Sequence, residues 1–178
     1  MTDKDIRKAI REKFKNSREF AVIEEVCATT GFDNNYNVPR RIDMLVINCF
    51  KCNGFYIEAI EIKVSKSDLK RELNDPKKHE VFFEDVDYYT LAIPSEMVDE
   101  VKDMIPNNWG LLVIDENGKA RYKRKPSLIS FHSGYYHKVV NRGFFASVIR
   151  AVLRQQGDKD AIKNGTPNVE IPHGELWC

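Results

Sequence analysis

The sequence predicts a mixed α/β fold, in which a central mixed β-sheet is flanked by helices and followed by a C-terminal helical extension. Strand-length runs of β-branched and aromatic residues alternate with segments whose apolar residues recur at helical spacing. A polar, Gly-containing stretch over residues 48–54 separates two such runs, as in an antiparallel hairpin. At 178 residues the chain is long enough for one well-packed domain. We therefore predict a domain over residues 1–126 and a helical extension and tail over residues 127–178.

The first predicted elements are a helix and a strand. Thr2 and Asp5 resemble a capping box, and apolar residues then recur at helical spacing as far as about Ser17. An apolar run over residues 20–27 predicts the first strand. The polar segment 29–39 follows and predicts a loop.

A hairpin comes next. The runs 41–47 and 55–64 are rich in β-branched and aromatic residues, and we expect them to pair as antiparallel strands. Because side chains alternate between the two faces of a strand, Glu61 and Lys63 share one face. The hairpin brings Asp43 opposite the end of the second strand, so the three charged groups are predicted to converge.

Two helix starts follow the hairpin. Ser65 is a helix cap, and Asp75 followed by Pro76 starts a short helix that we expect to end at about Phe83. His79 is expected at the surface of that helix. The remaining predicted elements are, in chain order, a strand over 88–93, a helix capped by Ser95 and ending at about Ile105, a buried central strand over 111–114, a two-residue turn at Asn117-Gly118, a strand over 119–125 and a helix over 137–156.

The composition is that of an ordinary globular protein, with 42% hydrophobic and 31% charged residues and a net charge of +1. The apolar runs are too short to cross a bilayer, and the charged start of the chain is unlike a secretory signal. The four cysteines form no secreted-type framework. We expect a cytoplasmic protein with no membrane partner.

The predicted cluster of Asp43, Glu61 and Lys63 suits metal-dependent phosphodiester hydrolysis. Charges set among apolar residues are costly unless they are paired or used. The two carboxylates and the backbone carbonyl of Ile62 are hard oxygen ligands, which suit Mg²⁺ or Mn²⁺. Such an ion activates water and offsets charge on a phosphate, while Lys63 is placed to orient the water or stabilise the developing charge.

These residues resemble the PD-(D/E)XK nuclease superfamily, in which an Asp on one strand and an acid-x-Lys on the next form the active site. More narrowly, the sequence resembles the MmcB-like DNA repair family over roughly residues 20–125. The segments that carry this resemblance are Arg40-Arg41-Ile42-Asp43, Glu61-Ile62-Lys63-Val64-Ser65, Ser67-Asp68-Leu69, Lys77-Lys78-His79 and Tyr89-Thr90-Leu91-Ala92-Ile93-Pro94. Ile42 departs from the Pro of the superfamily name, but that residue performs no chemistry.

The resemblance implies a restriction-endonuclease-like core with the order αβββαβ and a metal-dependent deoxyribonuclease that acts in DNA repair, recombination or mobile-element metabolism. It further implies an auxiliary acid upstream of Asp43, which we assign to Glu25, with Glu24 on the opposite face of the strand. By contrast, Glu100-Val101-Lys102 has the acid-x-Lys form on a predicted helix, where it is a solvated helix face.

The predicted partner is DNA, which basic residues would hold through its phosphates. Those assigned to nucleic-acid binding are Arg40, Lys66, Lys70, Lys77, Lys78, Lys119, Arg121 and Lys123. For any one of them alone, a solvated surface charge is the default interpretation, and it is as a set that they suit phosphate contacts.

Three alternatives stay open. The chain could be a catalytically inactive DNA-binding or partner-docking module with the same core, or its charges an ion-pair cluster at a sheet edge. Cys49 and Cys52 have the spacing of half a zinc site, with the other half absent nearby. A homodimer is a further alternative, and the apolar face of the last helix is either part of the core or a dimer contact.

Overall fold

A computed structural model describes residues 1–28, 40–129 and 142–156, leaving out the side chains of Lys77, Lys78 and Arg142. Its helices and strands, in chain order, are α1 (Asp3–Lys13), β1 (Phe20–Cys27), β2 (Arg41–Asn48), β3 (Ile57–Ile62), α2 (Lys66–Leu73), α3 (Pro76–Glu80), β4 (Tyr88–Pro94), α4 (Val98–Val101), β5 (Gly110–Ile114), β6 (Ala120–Arg124) and α5 (Arg142–Gln155). The predicted mixed α/β class and the C-terminal helix are confirmed. The predicted loop over residues 29–39 and most of the tail lie outside the described residues.

One six-stranded sheet contains the strands in the order β1-β2-β3-β4-β5-β6. The pairs β1–β2, β2–β3 and β5–β6 are antiparallel, and the pairs β3–β4 and β4–β5 are parallel. The predicted hairpin is therefore present, with Met44 opposite Ile60 and Ile47 opposite Ile57. The predicted buried strand β5 lies inside the sheet, between β4 and β6.

Helices cover both faces of this sheet. On one face α1 buries Ile6 and Ile10 against strand residues that include Met44 and Ile60. The capping box predicted at Thr2 is present and begins this helix. On the other face a larger cluster joins α2, α4 and α5, with Tyr89 and Trp109 among its largest buried side chains.

The last helix, α5, has two apolar sides. Phe144, Val148 and Ala151 are buried in the same core as the sheet. Three further apolar residues, which are exposed, are Phe145, Ile149 and Leu153. The expected homodimer stays a prediction, and the predicted residues 137–141 of this helix lie outside the described part of the chain. None of the described helices is both long enough and apolar enough to span a membrane.

Three predicted helix ends are wrong. Helix α1 ends at Lys13, because Asn16 starts a turn: its side-chain oxygen accepts a hydrogen bond from the backbone N–H of Arg18, and its carbonyl accepts from Glu19 and Phe20. Helix α3 ends at Glu80, after which i+3 hydrogen bonds tighten the chain into turns. The helix predicted from Ser95 is instead one short α-helix between two 3₁₀ turns, and Pro94 holds the N-cap position.

The hairpin between β5 and β6 differs by one residue from the prediction. Asp115 and Lys119 close the loop, which makes it three residues long rather than two. Gly118 adopts a φ of +74°, the left-handed conformation that such loops require at this position.

Candidate active site

Three neighbouring strands bring the predicted catalytic residues to one end of the sheet. The register that pairs Met44 with Ile60 sets Asp43 across from Glu61. There the backbone N–H of Ile62 donates to Oδ2 of Asp43 at 2.8 Å. A side-chain carboxylate therefore accepts the hydrogen bond in place of a backbone carbonyl of the neighbouring strand. The charged ends of β2 and β3 therefore converge, as their alternation predicts.

A cavity of about 570 Å³ opens at this point. Its lining residues, apart from Ile62 and Val64, are the acids Asp3, Glu25, Asp43, Glu61, Asp68, Glu72 and Asp75 and the bases Arg40, Arg41, Lys63 and Arg71. All four predicted catalytic residues are thus together in one cavity. Acids outnumber bases in the lining, so a phosphate needs an added cation to enter favourably.

Lys63 lies between two buried carboxylates. Its Nζ is 2.5 Å from Oε1 of Glu61 and 3.3 Å from Oε2 of Glu72. Glu72 projects from α2 and its side chain is 2% exposed. Glu72 is not among the predicted site residues, although the sequence contains a signal for it: Glu72 follows Leu69 at i+3, on the face of α2 that packs inward.

His79 is buried, and the expectation that it lies at the surface is wrong. Its Nδ1 is 4.0 Å from Oε1 of Glu72. Its ring packs edge-on against Trp109, with ring centroids 4.7 Å apart, and also contacts Phe83 and Tyr89. The His79 side of the short helix α3 faces inward because the helix leads directly into Phe82 and Phe83 of the aromatic core.

Burial governs the ionisation of the central carboxylates. Burial first, and then the charge of Asp43, raise the pKa of Glu61 to about 7, although Lys63 opposes both effects. Burial likewise raises the pKa of Asp43, against the hydrogen bond from Ile62 and the charges of Lys63 and Arg7. The two acids repel each other in a poorly solvated place, which a bound cation would relieve.

Glu25 enters the cavity through a kink in β1. Its φ is +56°, a left-handed conformation that costs a non-glycine residue on the order of 1–2 kcal/mol. From α5, Arg154 donates to the carbonyl of Glu25 at 2.8 Å and Gln155 donates to the carbonyl of Glu24 at 3.1 Å. Glu25 lines the cavity. The side chain of Glu24 pairs with Arg11 and also lies 3.5 Å from Nη1 of Arg7, the residue that Glu25 contacts as well. The expectation that Glu24 points to the opposite face is therefore wrong, because the left-handed φ of Glu25 breaks the alternation of the strand.

Arg7 of α1 reaches the same group of carboxylates, although it is not among the predicted site residues. It pairs with Glu25 at 2.7 Å and with Asp43 at 3.1 Å. Its side chain is 13% exposed. Nothing in the local sequence of α1 distinguishes Arg7 from Arg11, because the difference arises from how the helix packs across the sheet.

The predicted nucleic-acid residues divide into three groups. Arg40 lines the cavity and pairs with Asp75 at 3.2 Å. Lys66 pairs with Glu100 at 3.3 Å on the exposed side of α2, close to exposed Lys70. The residues exposed on or beside the far edge strand β6, three strands from β3, are Lys119, Arg121 and Lys123. The side chains of Lys77 and Lys78 lie outside the description.

Two arginines at the cavity were missed by that prediction. Arg41 pairs with Glu25 at 3.2 Å, and Arg71 pairs with Asp68 at 2.7 Å. Both line the cavity together with Arg40. These three guanidinium groups lie nearer to the carboxylates than do Lys119, Arg121 and Lys123, which we call the β6 stripe. The reason is that each strand of a sheet adds about 4.8 Å to the distance.

The donor set of the cavity fits a hard divalent cation held by few protein ligands. Across the described residues, no group of three or more His, Cys, Asp or Glu is arranged to hold a metal ion. Mg²⁺, however, is commonly held by one or two carboxylates with water and phosphate oxygens completing its shell. Asp43, Glu61 and the carbonyl of Ile62 supply such a set, and the mutual repulsion of the two acids favours a cation between them.

The cysteines of the hairpin loop stand apart from this cavity. Cys49 and Cys52 are exposed free thiols in the loop between β2 and β3, at the opposite end of the hairpin from Asp43. The zinc alternative gains no third ligand within the part of the chain that the structure describes.

Comparisons with known proteins bear on the fold. No protein-family model matches the sequence, and no curated protein matches it. Among solved structures, the chain is similar to SPO1766, a protein of unknown function from Silicibacter pomeroyi, with a TM-score of 0.57 and 18% identity. The match covers 90% of this chain and 92% of that one. At this identity the similarity concerns the fold alone.

Proposed function

We propose that the chain is a Mg²⁺- or Mn²⁺-dependent deoxyribonuclease with a restriction-endonuclease-like core of the PD-(D/E)XK type. The observation that carries the proposal is the convergence of Asp43, Glu61 and Lys63 in one cavity. Asp43 and Glu61 lie across from each other on adjacent strands, and Lys63 follows Glu61 on the same side. The order of α1, three antiparallel strands, α2 and a parallel β4 also supports it.

The side chains divide the chemistry between them. Carboxylate oxygens of Asp43 and Glu61, with the carbonyl of Ile62, would hold the ion. When bound, that ion would lower the pKa of a water molecule and offset the charge that builds up on the phosphate. Lys63, held by Glu72, would orient the attacking water and stabilise the developing charge, since it lines the cavity beside Glu61.

The phosphodiester backbone would meet arginines first. Arg40, Arg41 and Arg71 line the cavity, and each is held by a neighbouring carboxylate. A guanidinium can donate two parallel hydrogen bonds to a phosphate. The proposed path of DNA therefore crosses these three residues, with Lys66 and Lys70 beside them and the β6 stripe as a more distant contact.

A second candidate is a DNA-binding or partner-docking module that has kept this core without turnover. One observation favours it: Lys63 and Arg7 already neutralise part of the charge of Glu61 and Asp43. Such a module would need no divalent ion. The two candidates therefore differ in their response to metal.

Separating DNA binding from cleavage tests the proposal. For Lys63→Ala we expect an unchanged Kd for DNA, measured in Ca²⁺, and a loss of cleavage in Mg²⁺ or Mn²⁺ of at least about a hundredfold, as for removal of one charge-stabilising group. Lys102→Ala is the matched control, because it alters an acid-x-Lys triplet that lies on a helix surface. If Lys63→Ala cuts DNA at the wild-type rate, the catalytic assignment is wrong.

A further inference from the structure

Arg7 is a largely buried arginine that contacts several acidic residues at and beside the candidate site. Its Nη2 is 2.7 Å from Oε1 of Glu25 and 3.1 Å from Oδ1 of Asp43. Its Nη1 donates to the carbonyl of Asp43 at 2.9 Å and approaches Glu24 at 3.5 Å. Its Nε donates to Asp3 at 2.7 Å. All three nitrogens of the guanidinium are therefore engaged.

The position of this guanidinium follows from the order of the strands. Asp43 on β2 lies between Glu25 on β1 and Glu61 on β3. Its Oδ2 accepts from Ile62 on the β3 side, and its Oδ1 accepts from Arg7. One oxygen of the Asp43 carboxylate, Oδ2, thus faces β3 and Glu61, and the other, Oδ1, faces Arg7 and Glu25.

Enzymes that use two divalent ions place them about 3.5–4 Å apart, on either side of a shared group. Here the space between Asp43 and Glu25 holds Nη2 of Arg7, which bonds to both carboxylates. A guanidinium stays protonated at any working pH. It therefore supplies a permanent single positive charge where a second divalent ion would otherwise bind.

We propose that Arg7 fills the second-cation position, so that the site takes one divalent ion, between Asp43 and Glu61, and Glu25 acts as a positioning residue for Arg7. This inference rests on the proposed metal-dependent nuclease function. It gives Glu25 a role that differs from direct metal ligation, and it accounts for the kink that turns Glu25 toward Arg7.

Counting bound Mn²⁺ tests this inference without reference to turnover. Free Mn²⁺ is followed by electron paramagnetic resonance while the full-length protein is titrated. We expect one site in the wild type, lost in Asp43→Asn, and one site with an affinity changed less than about twofold in Glu25→Gln. In Arg7→Met we expect a second site, which the double variant with Glu25→Gln loses again. Arg11→Met is the matched control, because Arg11 pairs with Glu24 outside the cavity.

The outcomes separate the two proposals. Two ions in the wild type, or loss of an ion in Glu25→Gln, would overturn the role of Arg7 while leaving the nuclease proposal intact. A well-folded Arg7→Met with a single site would also overturn it, and far-ultraviolet circular dichroism establishes folding. If Arg7→Met fails to fold, the Glu25→Gln titration decides alone. Absence of any Mn²⁺ site, with no DNA cleavage, would overturn the proposed function and with it this inference.

Discussion

At the scale of single residues, Glu61 combines a cost in stability with a use in chemistry. Burial and the charge of Asp43 raise its pKa to about 7, so the folded protein holds a proton that the unfolded chain releases near its usual pKa of 4.5. A folded-state pKa above the unfolded value stabilises the protein fully at low pH, and this contribution is lost as the pH rises through about 7. The ionised carboxylate of Glu61 therefore lowers stability above pH 7, and holding a divalent ion is the use that would offset this cost.

We therefore predict that Glu61→Gln raises the free energy of unfolding of the metal-free protein at pH 8 by about 1–3 kcal/mol, since one unit of pKa corresponds to about 1.4 kcal/mol. The gain should vanish below pH 5. Urea unfolding across this pH range measures it, with exposed Glu116→Gln as the control. A Glu61→Gln variant that is less stable than the wild type at pH 8 would contradict this account.

Glu72 is predicted to act through Lys63, because its Oε2 lies 3.3 Å from Nζ of that residue. Glu72→Gln should lower kcat for DNA cleavage about tenfold or more and leave DNA binding unchanged. In a Lys63→Ala background the same change should have little further effect on kcat, because residues that act as a unit are strongly non-additive. Losses that multiply in the double variant would show that Glu72 acts independently of Lys63.

At the scale of elements, a second buried carboxylate shows how tightly the strands of the sheet fit. Glu58 on β3 accepts hydrogen bonds at 2.6 Å from Thr90 on β4 and from Tyr122 on β6. Burial raises its pKa, and these two hydrogen bonds oppose the shift. Thr90 pairs with Gly110 of β5, where a Cβ would lie 2.1 Å from Oγ1 of Thr90. A glycine at this position therefore leaves room for the buried network.

Gly110→Ala should accordingly lower the free energy of unfolding by about 1–3 kcal/mol, the usual cost of overpacking. Gly118→Ala is the matched control: among the described residues nothing lies within 4 Å of a Cβ there, and its φ of +74° alone costs about 1 kcal/mol. Thermal or urea unfolding compares the two. Equal losses would mean that β4 and β5 can separate slightly at no great cost.

Much of the sheet was predictable because its signals are local. The period-two alternation in β2 and β3 places Asp43, Glu61 and Lys63 on one side, and Ser65 and Thr2 mark helix starts by their own hydrogen bonds. The prediction of one helix capped by Ser95 was wrong, because Pro94 takes the N-cap position and a capping residue alone does not determine the length of a helix.

The remaining site residues depend on packing between distant elements. Arg7 reaches Asp43 only because α1 crosses the sheet at that end, and the pairing of Glu72 with Lys63 requires α2 to fold back over β3. Likewise, His79 is buried by the aromatic residues Tyr89 and Trp109 of later strands. The i+3 spacing from Leu69 places Glu72 on the inward face of α2, but no short-range pattern in a single sequence encodes the partners in these contacts.

At the scale of the whole molecule, the candidate site joins elements from both ends of the chain. Arg7 of α1 donates to the side-chain carboxylate of Glu25, and Arg154 of α5 donates to the backbone carbonyl of Glu25. A cation bound between Asp43 and Glu61 would therefore stabilise a large part of the fold.

We predict that Mn²⁺ raises the Tm of the wild type, because a ligand that binds the native state alone stabilises it by about 2.7 kcal/mol at a hundred times its Kd. Asp43→Asn should lose the shift, while Asp99→Asn, an exposed acid on α4, should keep it. An equal shift in all three proteins would mean that the ion binds elsewhere.

The most direct test of the proposed nuclease is cleavage of labelled linear, circular, single-stranded and branched DNA by the wild type and Asp43→Ala, each with Mg²⁺, Mn²⁺ or EDTA. We expect cutting of at least one substrate by the wild type in Mg²⁺ or Mn²⁺, and its loss in EDTA and in Asp43→Ala. Retained DNA binding with no cutting under any of these conditions would contradict the proposal and favour the non-catalytic module.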